Sequence, residues 1–305
     1  FGMTAEQVRE RHPSVYQWVL HRVKPERDAK GSTPDGRQYA EKWWLFGKTR
    51  ADLRNALANL PRYIATTETS KHRMFQFLDA SILPDNMLVC MALSDAFHLG
   101  VLSSRVHVAW SLAAGGTLED RPRYNKTVCF DPFPFPACTP EQEDRIRQVA
   151  ERLDAHRKRQ QELHADLTMT GMYNVLEALR EGRALNPKEK AIHEKGLVSI
   201  LRELHDELDA AVFAAYGWDV SLSDEQILER LVALNAHRAA EEAQGLVRWL
   251  RPSFQNPSAQ MAVGQADLAL PDSPSDKKQK VAKTPWPSTT REQIAALRAA
   301  LSQAG

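Results

Sequence analysis

Val8, Val15, Trp18, Val19 and Leu20 recur at helical spacing among charged residues, which predicts a helix over residues 4–23 that Pro13 divides in two. From Lys24 to Lys42 the apolar rhythm stops. Pro25, Gly31, Pro34 and Gly36 punctuate a stretch rich in Lys and Arg, so an exposed, basic, mobile loop is expected there. Trp43, Trp44, Leu45 and Phe46 form a dense aromatic run closed by Gly47, with at least one tryptophan expected in the core. A short helix over 50–60, with Thr49 as its N-cap, should precede a β-branched strand beginning at Arg62. Apolar pieces at 74–78 and 87–93 continue the strand pattern, and 97–112 turns helical. Pro132, Pro134 and Pro136 then forbid both ladder and helix.

Beyond Thr139 the pattern is helical throughout. Thr139 followed by Pro140, Glu141 and Gln142 reads as an N-cap, a first-turn proline and an acidic first turn, opening a long helix through Ile146, Val149 and Leu153. Further helices are expected over 172–181, 187–216 and 223–249. Residues 253–287 are rich in Pro, Ser, Gln and Lys and read as a disordered linker, followed by a short amphipathic helix over 290–301. The expected fold is α+β. A mixed α/β domain (1–137) is followed by an all-helical domain (138–252) and a flexible tail (253–305).

The 305 residues suffice for about two domains. With no long apolar run and no signal-peptide pattern, a cytoplasmic location without a membrane partner is expected. The chain opens on Phe1 in helix-like sequence and is expected to be a fragment or a trimmed chain. Cys90, Cys129 and Cys138 form no Cys-x-x-Cys pair and read as small buried hydrophobes. His156 with His164, and His193 with His205, lack zinc-like spacing and are expected on solvated helix faces. The common phosphate-binding, dinucleotide-binding, nucleophile-elbow and zinc-protease motifs are absent, so no catalytic, cofactor or metal residue is expected in this segment. Asp131-Pro132-Phe133 superficially matches the base-holding loop of amino methyltransferases, but it lacks the second consecutive proline.

A net charge of +1 does not by itself mark a nucleic-acid binder, so any such role must lie in local patches. Four basic segments occur in the first half. They are Lys24, Arg27, Lys30 and Arg37; Lys48, Arg50 and Arg54; Lys71, His72 and Arg73; and Arg121, Arg123 and Lys126. Three of them fall on stretches read as loops with aromatic or amide neighbours, among them Tyr124 and Asn125. Such loops suit phosphate contacts and base-edge readout. A further basic run, Arg157, Lys158 and Arg159, either packs or touches phosphate.

The run Arg123-Tyr124-Asn125-Lys126-Thr127, the exit Phe133-Pro134-Phe135-Pro136 and the helix start at Thr139 resemble the end of a target recognition domain in restriction-modification enzymes. With Val23–Arg27, Trp43–Gly47, Arg62–Ala65, Lys71–Arg73 and Gly100–Arg105, residues 1 to about 257 resemble the C-terminal part of MmeI-like enzymes and their methyltransferase relatives. The resemblance implies the DNA-reading part of an adenine-specific DNA methyltransferase. Its partners would be double-stranded DNA and a catalytic domain in the same parent chain, where S-adenosylmethionine would bind. It also implies a base-reading loop at Glu119, Asp120, Arg121 and Arg123. A nonspecific nucleic-acid-binding module and a helical protein-interaction scaffold remain alternatives.

Overall fold

The computed structural model describes residues 2–119 and 121–258. Phe1–Gln255 form one compact unit. Asn256–Gly305 form a second, of which only 256–258 are described, so the expected helix over 290–301 and most of the expected linker lie outside the described residues.

The N-terminal pattern gives two helices, α1 (Ala5–Arg11) and α2 (Pro13–Arg22), divided at Pro13. The expected loop at 24–42 is instead largely helical, as α3 (Lys24–Ala29) and α4 (Pro34–Glu41). Both prolines sit in a first turn, where a missing N–H costs nothing, and the Thr33 side chain accepts from the Gly36 N–H as an N-cap. Trp43 is buried against Tyr16, and the Trp44 indole donates to the Met3 carbonyl. Helix α5 (Ala51–Leu57) begins at Arg50 in the left-handed region (φ 50°), not at a Thr49 cap.

Strands β1 (Arg62–Thr67), β2 (Gln76–Asp79) and β3 (Leu88–Met91) form an antiparallel sheet in the order β2-β1-β3. Ile64 sits opposite Phe77 on one side and Met91 on the other, so the central strand buries its apolar residues on both neighbours. The helical stretch at 97–112 is two helices, α6 (Ala96–Ser103) and α7 (Arg105–Gly115), because Ser104 is extended. A short hairpin of β4 (Thr117–Leu118) and β5 (Arg121–Pro122) follows, then a π-helical turn over Lys126–Phe130.

Helix α8 (Pro140–Leu163) opens at Thr139 with a full capping box to Gln142. Helix α9 (Met169–Arg180) comes next. The expected helix over 187–216 is two, α10 (Pro187–Gly196) and α11 (Val198–Tyr216), joined by Leu197 in the left-handed region (φ 44°). Helix α12 (Asp224–Ala243) and the short α13 (Pro252–Gln255) complete the described chain. The last falls at the start of the stretch read as linker.

Helix α6 is apolar all round and shared between two cores. Phe97 and Val101 pack with Ile146, Val149, Leu201 and Leu208 of the helical part. Leu99 and Leu102 pack with Ile64, Phe75, Phe77 and Tyr124 beneath the sheet. His205, expected on a solvated face, is on the inner side of α11 and bonds Tyr173 Oη at 2.8 Å. Arg157 is also inward: it is fully buried and donates to the Phe75 carbonyl and to Tyr173 Oη. Asp154 beside it accepts from the Phe77 N–H, so α8 holds the backbone of β2 from both sides of one residue.

Where α6 crosses α8 the contact leaves no room for a side chain. A Cβ on Gly100 would lie 2.6 Å from Ile146 Cγ2 and 3.1 Å from Ala150 Cβ. Gly100→Ala should therefore destabilise the unit by about 1–3 kcal/mol through overpacking, despite its gain in helix propensity, as a lower midpoint in chemical denaturation.

Candidate nucleic-acid interface

The described residues of the β4–β5 hairpin are exposed apart from the half-buried Pro122. Gly115 lies so close to the returning strand that a Cβ there would be 2.0 Å from the Arg123 carbonyl oxygen. Gly116 then takes φ 68°, which lets the chain leave α7 and turn back. Pairing of Leu118 with Arg121 leaves Glu119 at the turn with φ 58°. Leu118, Glu119 and Arg121 are exposed.

Arg73 carries the base of this hairpin. It is buried, and its guanidinium donates to the Thr67 carbonyl, to Thr66 Oγ1 at 3.1 Å and to the Pro122 carbonyl at 3.0 Å. It also lies over the Tyr124 ring, 5.0 Å from the centroid. Burial lowers its pKa from the usual arginine value. Backbone bonds from Ser70 N to the Pro122 carbonyl and from Tyr124 N to the Glu68 carbonyl complete the joint between β1 and the hairpin.

Tyr124 continues the support inward. It is buried, with its hydroxyl 3.0 Å from His107 Nε2, and His107 stacks edge-on with Phe133 at 4.3 Å. Burial pushes His107 down to about 3 and raises the Tyr124 phenol, so both are neutral across the physiological range. Phe133 is packed inside, and Asp131 is ion-paired with Lys126 at 2.6 Å. The Asp131-Pro132-Phe133 loop is thus a structural joint in this chain.

The candidate residues separate into groups. Arg73 and Tyr124 are inside the fold, and their polar atoms are engaged there. Lys71 and His72 lie against α9, where Lys71 Nζ reaches Glu177 at 2.7 Å and Asn174 at 2.9 Å, and His72 Nε2 is 2.8 Å from Asn174 Oδ1. Arg123 bonds Glu68 Oε1 through Nε at 2.8 Å and Nη2 at 2.6 Å. Arg121 is 3.4 Å from Glu119. Asn125 caps the π-helical turn through Thr127 N. Lys24 pairs with Asp28 and Lys30 with Glu26 along α3, Arg27 donates to the Lys42 and Leu45 carbonyls, and Arg37 is exposed on α4. The ion pairs of Lys24 and Lys30 and the hydrogen bonds of Arg27 stay within residues 24–45. Lys126 lines a cleft of about 1350 Å³ together with Lys48, Arg50 and Arg54, which brings two of the basic segments to one surface.

Sequence reasoning missed Glu68, Asn174 and Glu177, the groups that hold the cations. Lone acids and amides distant in sequence carry no local signal. Among the described residues no cluster of three or more His, Cys, Asp or Glu could hold a metal, and no helix is long and apolar enough to cross a membrane.

An exposed two-stranded ribbon is thus joined to β1 through a buried arginine. Residues 4–137 match the model described as the MmeI target recognition domain. DNA methyltransferase A of Bacillus subtilis (strain 168) is 26% identical over 156 residues, covering 51% of this chain and 15% of the relative. The fold is shared with the Type IIL restriction-modification enzyme MmeI solved in complex with DNA, at TM-score 0.59 and 20% identity over 78% of this chain and 28% of that one. The chain thus spans a minor part of each.

Arg73→Lys removes the fork that joins three acceptors and should cost roughly 1–3 kcal/mol. Amide exchange should rise in the hairpin before it rises in α8. The neutral His107 also predicts a pH dependence. An unfolded imidazole titrates near about 6.5, so between pH 6.5 and 3 the unfolded chain binds the extra proton and stability falls as pH drops through that window. His107→Asn should flatten this slope by the equivalent of one proton, measured as unfolding free energy against pH.

Proposed function

We infer that this chain reads a defined sequence in double-stranded DNA as the recognition part of an adenine-specific methyltransferase of restriction-modification type. The observation that carries the reading is the match of residues 4–137 to a target recognition domain. The hairpin geometry supports it. A two-stranded ribbon fits the major groove, arginine can bridge guanine O6 and N7, and a glutamate can accept from the cytosine amino group. Glu119 and Arg121 at the exposed turn are the base-reading candidates, with Asp120 between them in sequence. Lys71, His72, Arg123, Asn125 and Lys126 flank them as phosphate or sugar contacts, and Lys24, Arg27, Lys30 and Arg37 form a separate basic surface.

The helical residues 138–252 serve as the brace, since α8 holds β2 through Asp154 and Arg157. Methyl transfer belongs to a catalytic domain of the same parent chain, where S-adenosylmethionine supplies the methyl group. The residues here bind and orient the duplex. Such work takes place with the host's DNA, in the cytoplasm.

Selection from a randomised duplex pool should return one preferred sequence, bound roughly a thousandfold or more over scrambled DNA. Uniform, steeply salt-dependent binding would make the chain a nonspecific binder instead, and no binding at low salt would favour a protein-interaction scaffold. Arg121→Ala should relax preference at one base position, a loss of roughly 1–3 kcal/mol in discrimination. An unchanged preference with uniformly weaker binding would make Arg121 a phosphate contact.

A further inference from the structure

Of the lysines and arginines that the sequence marks for DNA contact, Lys24, Lys30, Lys71, Arg121, Arg123 and Lys126 are each ion-paired with a carboxylate. Four of these pairs are local, within one helix or turn. The other two join distant elements. Glu68, just beyond β1, holds Arg123 after the hairpin, and Glu177 on α9 holds Lys71. No local backbone requirement places an acid at either position, yet each sits beside a cation of the reading face.

Resting on the recognition role proposed above, we propose that Glu68 and Glu177 are specificity-determining residues that withhold Arg123 and Lys71 from the phosphates of non-cognate DNA. The geometry suits an exchange. Arg123 directs both Nε and Nη2 at a single carboxylate oxygen of Glu68, an arrangement that a phosphate oxygen satisfies equally well. Lys71 lies between Glu177 and Asn174, each presenting an acceptor oxygen to it. The side chains of Arg123 and Lys71 are 47% and 55% exposed, so an approaching duplex can reach them.

Ion pairs this exposed contribute little to stability, so trading a carboxylate for a phosphate is close to neutral. DNA lacking the right bases gains nothing from the trade and is held weakly. DNA that also satisfies the hairpin is drawn in by its base contacts, and the exchange follows. The carboxylates thereby remove the sequence-independent attraction that an uncompensated basic face would exert. The near-neutral charge of the whole chain fits such a device.

The test uses the 305-residue chain, its Glu68→Gln and Glu177→Gln variants, a duplex carrying the selected sequence and a scrambled duplex of the same length. Each further phosphate neutralised adds about 0.9 to the slope of log affinity against log salt, so on the scrambled duplex a fourfold rise in salt should weaken each variant about 3.5-fold more than the wild type. Each variant should also bind the scrambled duplex more tightly at low salt, with a smaller ratio of selected to scrambled affinity. Variants that unfold at the wild-type midpoint and leave both slope and scrambled affinity unchanged overturn the proposal. If Glu68→Gln does not fold, Glu177→Gln on the surface of α9 decides alone. A wild type that prefers no duplex removes the recognition reading and this role with it. A wild-type preference with unmoved variants removes only this role.

Discussion

A guanidinium that leaves water must find acceptors for its N–H groups, and the stretch from Arg73 to Phe77 is organised by two of them. Arg73 points from this stretch into the joint between β1 and the hairpin, where carbonyls, a hydroxyl and an aromatic face replace its hydration. Arg157 enters from α8 and takes the Phe75 carbonyl, while its neighbour Asp154 takes the Phe77 N–H. One short segment is thereby fixed at one end to the exposed ribbon and at the other to the helical brace. Breaking either arginine leaves buried carbonyls without donors, a larger loss than the bonds themselves contribute. The position of the β4–β5 hairpin relative to the helices depends on these two side chains.

The apolar packing repeats this division. Helix α6 is walled on one side by the sheet core and on the other by α8 and α11, so it packs into both cores. Gly100 marks where α6 and α8 come closest. The column Arg73, Tyr124, His107 and Phe133 runs under the hairpin, and burial keeps its imidazole and its phenol neutral. A rigid, chemically fixed support is what base readout requires, because discrimination depends on donors and acceptors staying in place without a partner to order them.

Much of this was legible in the residues. The three strands, the break at Pro13, the capping box at Thr139 and the helical second half follow from apolar period and cap chemistry. The stretch over 24–42 departs from its expected loop because Pro25 and Pro34 break a helix interior but initiate a helix at its first turn, and composition alone does not say which. Leu197 was invisible as a break because a left-handed leucine is held by tertiary packing against its own preference. The basic segments were legible as segments, but their partners were not. Arg73 and Arg123 lie two residues from Lys71 and Arg121 in similar sequence, yet Arg73 is buried on carbonyls and Arg123 is held by a glutamate 55 positions away. Periodicity reports which face of an element is apolar; it does not report which distant acceptor a long cationic side chain will reach.

Charge compensation changes what the ribbon can be asked to do. A binder that relies on phosphate attraction is fast and tight on any sequence and must recover selectivity against that background. A face whose cations are already engaged starts from weak general affinity, so the base contacts at the turn decide a larger share of the total. Weak intrinsic affinity is no handicap to a reader tethered to a second DNA-binding region, because its contact is then intramolecular and operates at high effective concentration. The two relatives are several times longer than this chain, which covers 15% and 28% of them. In such an assembly the general hold on DNA and the reading of its sequence can be built by separate surfaces, and the salt bridges of this domain are consistent with a surface specialised for the second.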